Sequence, residues 1–184
     1  MELEPVHRLS SGTSVSQADS ELWEQLFALQ LPSSTAEEVA AASFAFCAEM
    51  VRNNPTSGNL QTLVQKLIDL LHLASSTKAA DSKLAGMHVR QACCCVFLTR
   101  LFLKHMIETL PAEQVDAHLS IGSPTGSLAI PLVEALLTTL VRCEVSDETY
   151  WLHSATCMPE RASQPSLART RRHRRQAYCN IIIY

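Results

Sequence analysis

The chain has 184 residues, of which 47% are hydrophobic, 18% are charged and 5% are aromatic, and its formal net charge is −3. This length suits one domain with a sizeable core, and the scarcity of glycine and aromatic residues favours helices over a β-sandwich. All acidic residues lie in the first 160 positions, which argues against a nucleic-acid-binding body, whereas residues 161–184 are strongly basic.

The seven cysteines do not indicate a disulfide scaffold. Cys93, Cys94 and Cys95 are adjacent in an apolar run, where neighbouring side chains of a helix point about 100° apart. We predict buried, reduced thiols in an intracellular protein, with S-palmitoylation of an exposed member as the alternative. No second cysteine pair has the spacing of a metal site. We expect no secretory signal and no transmembrane segment.

The first predicted elements follow in chain order. Residues 1–18 are polar and lack an apolar period, which predicts a mobile N-terminal arm. A short helix then begins at Asp19 or Ser20 and ends before Pro32. Its apolar repeat consists of Leu22, Leu26 and Leu29. A second helix begins with Ser34 and Glu37 at capping-box spacing, and its predicted buried face comprises Val39, Ala42, Phe46 and Met50.

The sequence VRNNPTSGNL, residues 51–60, predicts a turn between two helices. Asn54 precedes Pro55 and is therefore disfavoured in the helical conformation, so the second helix should end there. Asn53 accepts a left-handed conformation and Asn59 can cap the next helix. A phosphate-binding loop is excluded, because it needs more glycines and usually a lysine after a strand.

Four further helices complete the apolar pattern. The strongest signal is a leucine-rich stripe made of Leu60, Leu63, Val64, Leu67, Leu70 and Leu71. A long helix up to Pro111 has a row made of Leu84, Met87, Gln91, Cys94, Leu98, Leu101 and His105, widened by Val96 and Phe102. A short helix follows Pro111, and the last helix has Pro131 in its first turn.

The predicted architecture is all-α, with antiparallel helical hairpins arranged as a HEAT/armadillo-like solenoid fragment. A compact helix bundle is the alternative. We divide the chain into the arm 1–18, a helical domain 19–143 and an atypical, poorly ordered basic tail 144–184. The candidate anion-binding residues of the tail are Arg169, Arg171, Arg172, Arg174 and Arg175.

No catalytic, cofactor or metal residues are predicted. The sequence contains no G-x-S-x-G, H-E-x-x-H or Walker motif. A cysteine-dependent enzyme is therefore the least favoured reading. The arginines of the tail support a different alternative, a basic-tailed binding protein for nucleic acid or acidic phospholipid.

Two stretches together resemble the dymeclin family. The first, RLSSGTSVSQADSELWEQLFALQLP, resembles the N-terminal segment of that family, and VRNNPTSGNLQTLVQKL resembles a segment at a fixed distance downstream. Ser57 stands where the family leads us to expect threonine. The resemblance covers roughly residues 8–143. The residues that carry it are Ser11, Gly12, Thr13, Trp23, Leu26, Asn53, Asn54, Pro55, Gly58, Asn59 and Leu60.

The resemblance implies a non-enzymatic helical-repeat scaffold without a cofactor. It implies a role in Golgi organisation and vesicle traffic through protein partners, at a cytoplasmic location peripheral to the Golgi membrane. Members of this family begin Met-Gly and can be N-myristoylated, whereas this chain has Glu2, so we expect no myristoyl anchor. Nucleic acid is not an expected partner.

Overall fold

The computed structural model describes residues 3–29, 36–76, 82–120 and 126–142, and all regular structure in these ranges is α-helical. The all-α prediction is therefore confirmed. The helices, in chain order, are α1 (Glu4–Ser10), α2 (Ser20–Ala28), α3 (Ala36–Ser57), α4 (Asn59–Ser76), α5 (Ser82–Thr109), α6 (Ala112–Ser120) and α7 (Ala129–Arg142).

Helix α4 is the centre of the core. It packs most extensively on α5 and α7, and it also contacts α1, α3 and α6. The predicted stripe is confirmed, since all six of its residues from Leu60 to Leu71 are buried. Burial of a leucine side chain contributes about 1.5–3 kcal/mol, so this stripe is a major source of the stability of the core.

The order of the helices around α4 follows from chain length and from long-range contacts. Helix α4 is about 27 Å long, and the five residues between α4 and α5 cannot span that length, so the two packed helices run antiparallel. His118, at the end of α6, lies beside Asn54 and Gln61 near the start of α4. Thr139 of α7 contacts the last turns of α4. Helix α7 therefore runs parallel to α4, an arrangement compatible with either a solenoid or a bundle.

The predicted mobile arm over residues 1–18 requires correction. Residues 4–10 form α1, which packs against α2 and α3. Pro5 suits the first turn of a helix, and the side chains of Val6 and Leu9 are fully buried. A helix of seven residues gives too short an apolar pattern to recognise, and it is stabilised by tertiary packing rather than by its own propensity.

Helix α2 follows its predicted pattern closely. The backbone N–H of Leu22 donates to Asp19 Oδ1 at 3.1 Å, which confirms Asp19 as the N-cap. Leu22, Leu26 and Leu29 are all buried. The helix ends at Ala28, and Pro32, which was expected to end it, lies outside the described residues together with Ser34.

Helix α3 does not end at Asn54 as predicted. It continues to Ser57 with Pro55 inside it, and Gly58 separates it from α4. Of its predicted face, Met50 is fully buried and Phe46 is half-buried, whereas the side chains of Val39 and Ala42 lie outside the description. Asn54 stays helical because three hydrogen bonds, two to His118 and one from the backbone N–H of Leu60, hold its buried side chain, and these outweigh the local preference of a residue before proline.

Helix α5 confirms the middle of its predicted row but not the beginning. Cys93, Cys94 and Cys95 are buried as expected. Leu84 and Met87 are exposed, whereas Gly86 and Val89 are buried, so the first turns of α5 bury a different face from the predicted row. Helix α6 begins directly after Pro111, and Pro131 lies in the first turn of α7, as predicted. The predicted tail 144–184 lies outside the described residues.

Candidate functional site

The structure brings the two sequence stretches into contact. The connection between α1 and α2, residues 11–19, lies across the joint between α3 and α4, residues 53–60. We call these two segments the α1–α2 connection and the α3–α4 junction. Their contacts are mainly hydrogen bonds between side-chain amides of the junction and backbone groups of the connection, which makes this polar interface the candidate site.

Asn59 makes the largest number of these contacts. Its Oδ1 accepts from the backbone N–H of Val15 at 2.8 Å. Its Nδ2 donates to the carbonyl oxygens of Leu9 and Thr13, both at 2.9 Å, and of Ser11 at 3.3 Å. The side chain is fully buried. Asn59 therefore gives hydrogen-bond partners to backbone groups that folding removes from water. Its side chain does not cap α4, contrary to the prediction.

Further hydrogen bonds extend the interface on both sides of Asn59. Asn53 Nδ2 donates to the carbonyl of Ser10 at 3.0 Å. Ser14 Oγ donates to the carbonyl of Ser57 at 2.9 Å. Gln17 Nε2 donates to the carbonyl of Thr62 at 2.6 Å. Each bond joins residues more than 40 positions apart, so together they fix the position of the connection relative to α4.

Asn54 faces the opposite direction and binds α6. Its Oδ1 accepts from the backbone N–H of Leu60, while its Nδ2 donates to the carbonyl oxygen and to Nδ1 of His118, both at 3.1 Å. Gln61 Nε2 also donates to the carbonyl of His118. Because Asn54 Nδ2 can only donate, the Nδ1 atom of His118 must be unprotonated.

Burial lowers the pKa of His118 below its usual 6.5. Desolvation disfavours the charged imidazolium, which agrees with the acceptor role of Nδ1 in the bond from Asn54. The neutral imidazole of His118 thus connects α6 to the end of α3. The side-chain amides of Asn54 and Gln61 both donate to the backbone carbonyl of His118.

Only one of the two motif glycines has a conformation that requires glycine. Gly58 has a φ of 66°, a left-handed conformation that lets the chain turn between α3 and α4. A Cβ atom at Gly12 would lie 3.9 Å from the side chain of Asn53, which is an ordinary contact distance. Gly12 is therefore replaceable by alanine on structural grounds, and Gly58 is not.

Trp23 and Leu26 anchor the other end of the connection to the core. Trp23 is almost fully buried, and its Nε1–H donates to the carbonyl of Ser16 at 3.1 Å. Lys66 Nζ lies 5.4 Å from the centre of the Trp23 ring, within the range of a cation–π contact. The carbonyl of Leu26 accepts from the thiol of Cys94.

The motif residues separate into two groups. Trp23, Leu26, Asn54, Asn59 and Leu60 are buried and determine the packing of the helices. Gly12 and Thr13 are exposed on the α1–α2 connection, and Pro55 and the adjacent Thr56 are exposed on the α3–α4 junction. We call these four residues the junction rim. Ser11 and Asn53 are half-buried between the two groups. The five arginines of the predicted anion-binding tail lie outside the described residues.

The chemistry of the site is that of neutral amides and backbone groups. Burial raises the pKa of Cys93 and Cys94 to about 12 and that of Cys47 to about 11, so these thiols are protonated and weakly nucleophilic at neutral pH. In the part of the chain that the structure describes, no group of three or more His, Cys, Asp or Glu side chains is placed to hold a metal ion.

Sequence reasoning missed His118 and Gln61. His118 lies 64 positions from Asn54, and its neighbours in the sequence carry no distinctive pattern. Gln61 is buried although it is polar, and it directly follows the leucine that begins the stripe of α4. A local pattern reports which face of a helix is apolar, but it does not show which distant polar group that face will meet.

Comparisons with known proteins match this same region. The family model described as "Dymeclin: Dyggve-Melchior-Clausen syndrome protein" matches residues 3–158. Dymeclin of Mus musculus is 25% identical over 147 residues, which cover 76% of this chain and 21% of that protein. No solved structure matches. The family match begins before α1 and continues 15 residues past Cys143, where the sequence resemblance was expected to end.

Proposed function

Because the chain belongs to the dymeclin family, we propose that it is a non-enzymatic helical scaffold that acts in Golgi organisation and vesicle traffic through protein–protein contacts. The observation that carries this proposal is the family match over residues 3–158, which contains the α1–α2 connection and the α3–α4 junction. The chain spans about a fifth of the length of the curated relative that it matches, so the role of a complete family member enters here as a proposal.

The arrangement of the junction supports a scaffold. Its buried amides fix the angle between α3 and α4 and hold α1 and α6 against that joint. Such a joint gives a protein partner a defined surface to bind. The exposed residues of the junction rim belong to the two segments that these buried contacts join, so the shape of the rim depends on those contacts, and we propose that the rim contacts a Golgi-associated protein.

We propose a cytoplasmic location peripheral to the Golgi membrane. None of the described helices has the length and apolarity of a membrane span. The proposal assigns recruitment to a protein partner bound at the rim.

Imaging of the tagged full chain beside a Golgi marker tests this function. We expect overlap for the unchanged chain and loss of overlap for a double variant of the rim, Thr13→Glu and Thr56→Glu. The matched control is Thr109→Glu, which places the same charge at an exposed threonine on α5. Diffuse or nuclear signal from the unchanged chain would refute the Golgi role, whereas overlap that survives in the rim variant would refute only the rim as the contact surface.

The alternative function draws no support from the comparisons. Arg169, Arg171, Arg172, Arg174 and Arg175 lie outside the family match and outside the described residues. Binding of nucleic acid or acidic phospholipid should depend steeply on salt and should disappear when residues 161–184 are deleted. Golgi overlap that persists after this deletion separates the two functions.

A further inference from the structure

Arg52 is an exposed charged side chain beside the junction rim. It precedes Pro55 and Thr56 of the rim by three and four residues on α3, so the three residues share one face of the helix. Arg52 forms no hydrogen bond or ion pair with any residue that the structure describes. Its guanidinium, which has five N–H donors in a fixed planar arrangement, is therefore open to a group outside these residues.

The acidic side chains that pack around α1 and the α1–α2 connection are already bonded. Glu49 lies three residues before Arg52 on α3, and its Oε2 accepts from Ser10 Oγ at 3.3 Å. Asp19 caps α2 and pairs with Arg8, with 3.2 Å between Nη2 and Oδ2. Both carboxylates are engaged by α1 or α2, and neither of them forms an ion pair with Arg52.

The junction rim itself is neutral, because it consists of glycine, threonine and proline residues. Arg52 therefore gives this surface a local positive charge, although the whole chain carries a formal net charge of −3. Arginine is enriched in protein–protein contacts, and its guanidinium binds a carboxylate through two parallel hydrogen bonds. A partner with acidic side chains complements this surface, whereas a basic partner is repelled by it.

We propose that the junction rim binds an acidic segment of a protein partner, and that a carboxylate of this segment pairs with Arg52. This inference rests on the proposed function, which places a protein contact at the rim. It adds the charge of the partner and the residue of this chain that selects for that charge.

An anionic membrane is the competing occupant of this surface. Attraction of a protein to anionic lipid depends on clusters of about 4–8 lysine and arginine residues close to the membrane. The rim offers one arginine among neutral residues. A single guanidinium suits the pairing with one carboxylate better than it suits the diffuse charge of a lipid surface, because the pairing depends on geometry.

Binding of the purified full chain to isolated Golgi membranes tests the pairing. Arg52→Glu should weaken the apparent affinity at least about tenfold, because two carboxylates then face each other across the contact. Arg52→Lys keeps the charge but not the planar donors, so its affinity should lie between those of Arg52→Glu and the unchanged chain. The matched control is Arg100→Glu, which reverses an exposed arginine on α5 outside the rim and should leave binding unchanged.

Two substitutions of Thr56 separate charge from shape at one position. Thr56→Lys should strengthen binding and Thr56→Glu should weaken it, although both changes lengthen the side chain. Equal losses in the two variants would overturn the proposal, because shape rather than charge would then govern the contact. Far-UV circular dichroism and urea unfolding of both variants should match those of the unchanged chain, since Thr56 is exposed.

The remaining outcomes distinguish this proposal from the proposed function. Equal binding of Arg52→Glu and the unchanged chain would overturn the pairing and leave the Golgi function intact. Failure of the unchanged chain to bind Golgi membranes would refute the Golgi function, and the pairing with it. Binding should disappear when the membranes are first digested with trypsin. Binding that depends on Arg52 but survives this digestion, or that occurs on vesicles of phosphatidylcholine and phosphatidylserine, would overturn the proposal, because the occupant would then be lipid.

Discussion

Replacement of Asn59 by alanine should destabilise the protein more than the same replacement of Asn53 in the α3–α4 junction. The substitution removes one hydrogen bond from the N–H of Val15 and the bonds to the carbonyls of Leu9, Ser11 and Thr13. Water can reach Thr13, which is exposed, but it cannot readily reach the bonds to Val15 and Leu9, both of which are buried. An unsatisfied buried group costs about 1–3 kcal/mol, so we expect a total loss of about 3 kcal/mol.

Urea unfolding followed by far-UV circular dichroism measures this loss in the full chain. A loss of about 3 kcal/mol corresponds to a decrease of about 10 °C in Tm for a domain of this size. Hydrogen exchange adds a local readout, because the amide of Val15 should exchange faster once Asn59 Oδ1 no longer accepts its proton.

Asn53→Ala is the matched control. The same residue type at the same junction is half-buried and makes a single hydrogen bond, to the carbonyl of Ser10, so its loss should cost about 0.5–1.5 kcal/mol. Equal losses for the two variants would refute the argument from buried backbone groups. A folded Asn59→Ala variant that has lost its localisation would refute the purely structural role assigned to Asn59.

Three further predictions concern the backbone, the pH dependence and the thiols. Gly58→Ala should cost about 1 kcal/mol in urea unfolding because of its positive φ, whereas Gly12→Ala should change stability by less than about 0.5 kcal/mol. Because the pKa of His118 is lowered in the folded protein, this histidine binds a proton more readily in the unfolded chain. The contribution of neutral His118 to the stability of the fold is therefore fully present above pH 6.5 and is lost as the pH falls below that value. His118→Gln should flatten this part of the stability profile, and an unchanged profile would contradict the assigned acceptor role. The thiols of Cys93, Cys94 and Cys95 should resist iodoacetamide in the folded protein and react after unfolding, as peptide mass analysis can measure; labelling of the folded chain at these positions would contradict their burial.

The local pattern of the sequence is sufficient for several parts of this fold. The spacing of Leu60, Leu63 and Leu67 fixes which face of α4 is buried, because a helix presents every third or fourth residue on one side. Asp19 as the cap of α2 follows in the same way, since a cap acts on a backbone group three residues away. The all-α class and the burial of the cysteine run also follow from such short-range patterns.

Other features depend on contacts between distant residues. Helix α1 is too short to be predicted from its own sequence and exists because Val6 and Leu9 have a core to enter. Helix α3 continues through Pro55 because hydrogen bonds to His118 of α6 and from Leu60 of α4 keep Asn54 in a helical conformation.

The division between the two kinds of feature is clearest at the junction. The sequence by itself determined that residues 51–60 join two helices and that these residues resemble a family motif. Only the tertiary structure decided that Asn59 binds the α1–α2 connection and that Asn54 binds His118. A side-chain amide can pair with any backbone group within reach, and which group is within reach depends on how the helices pack.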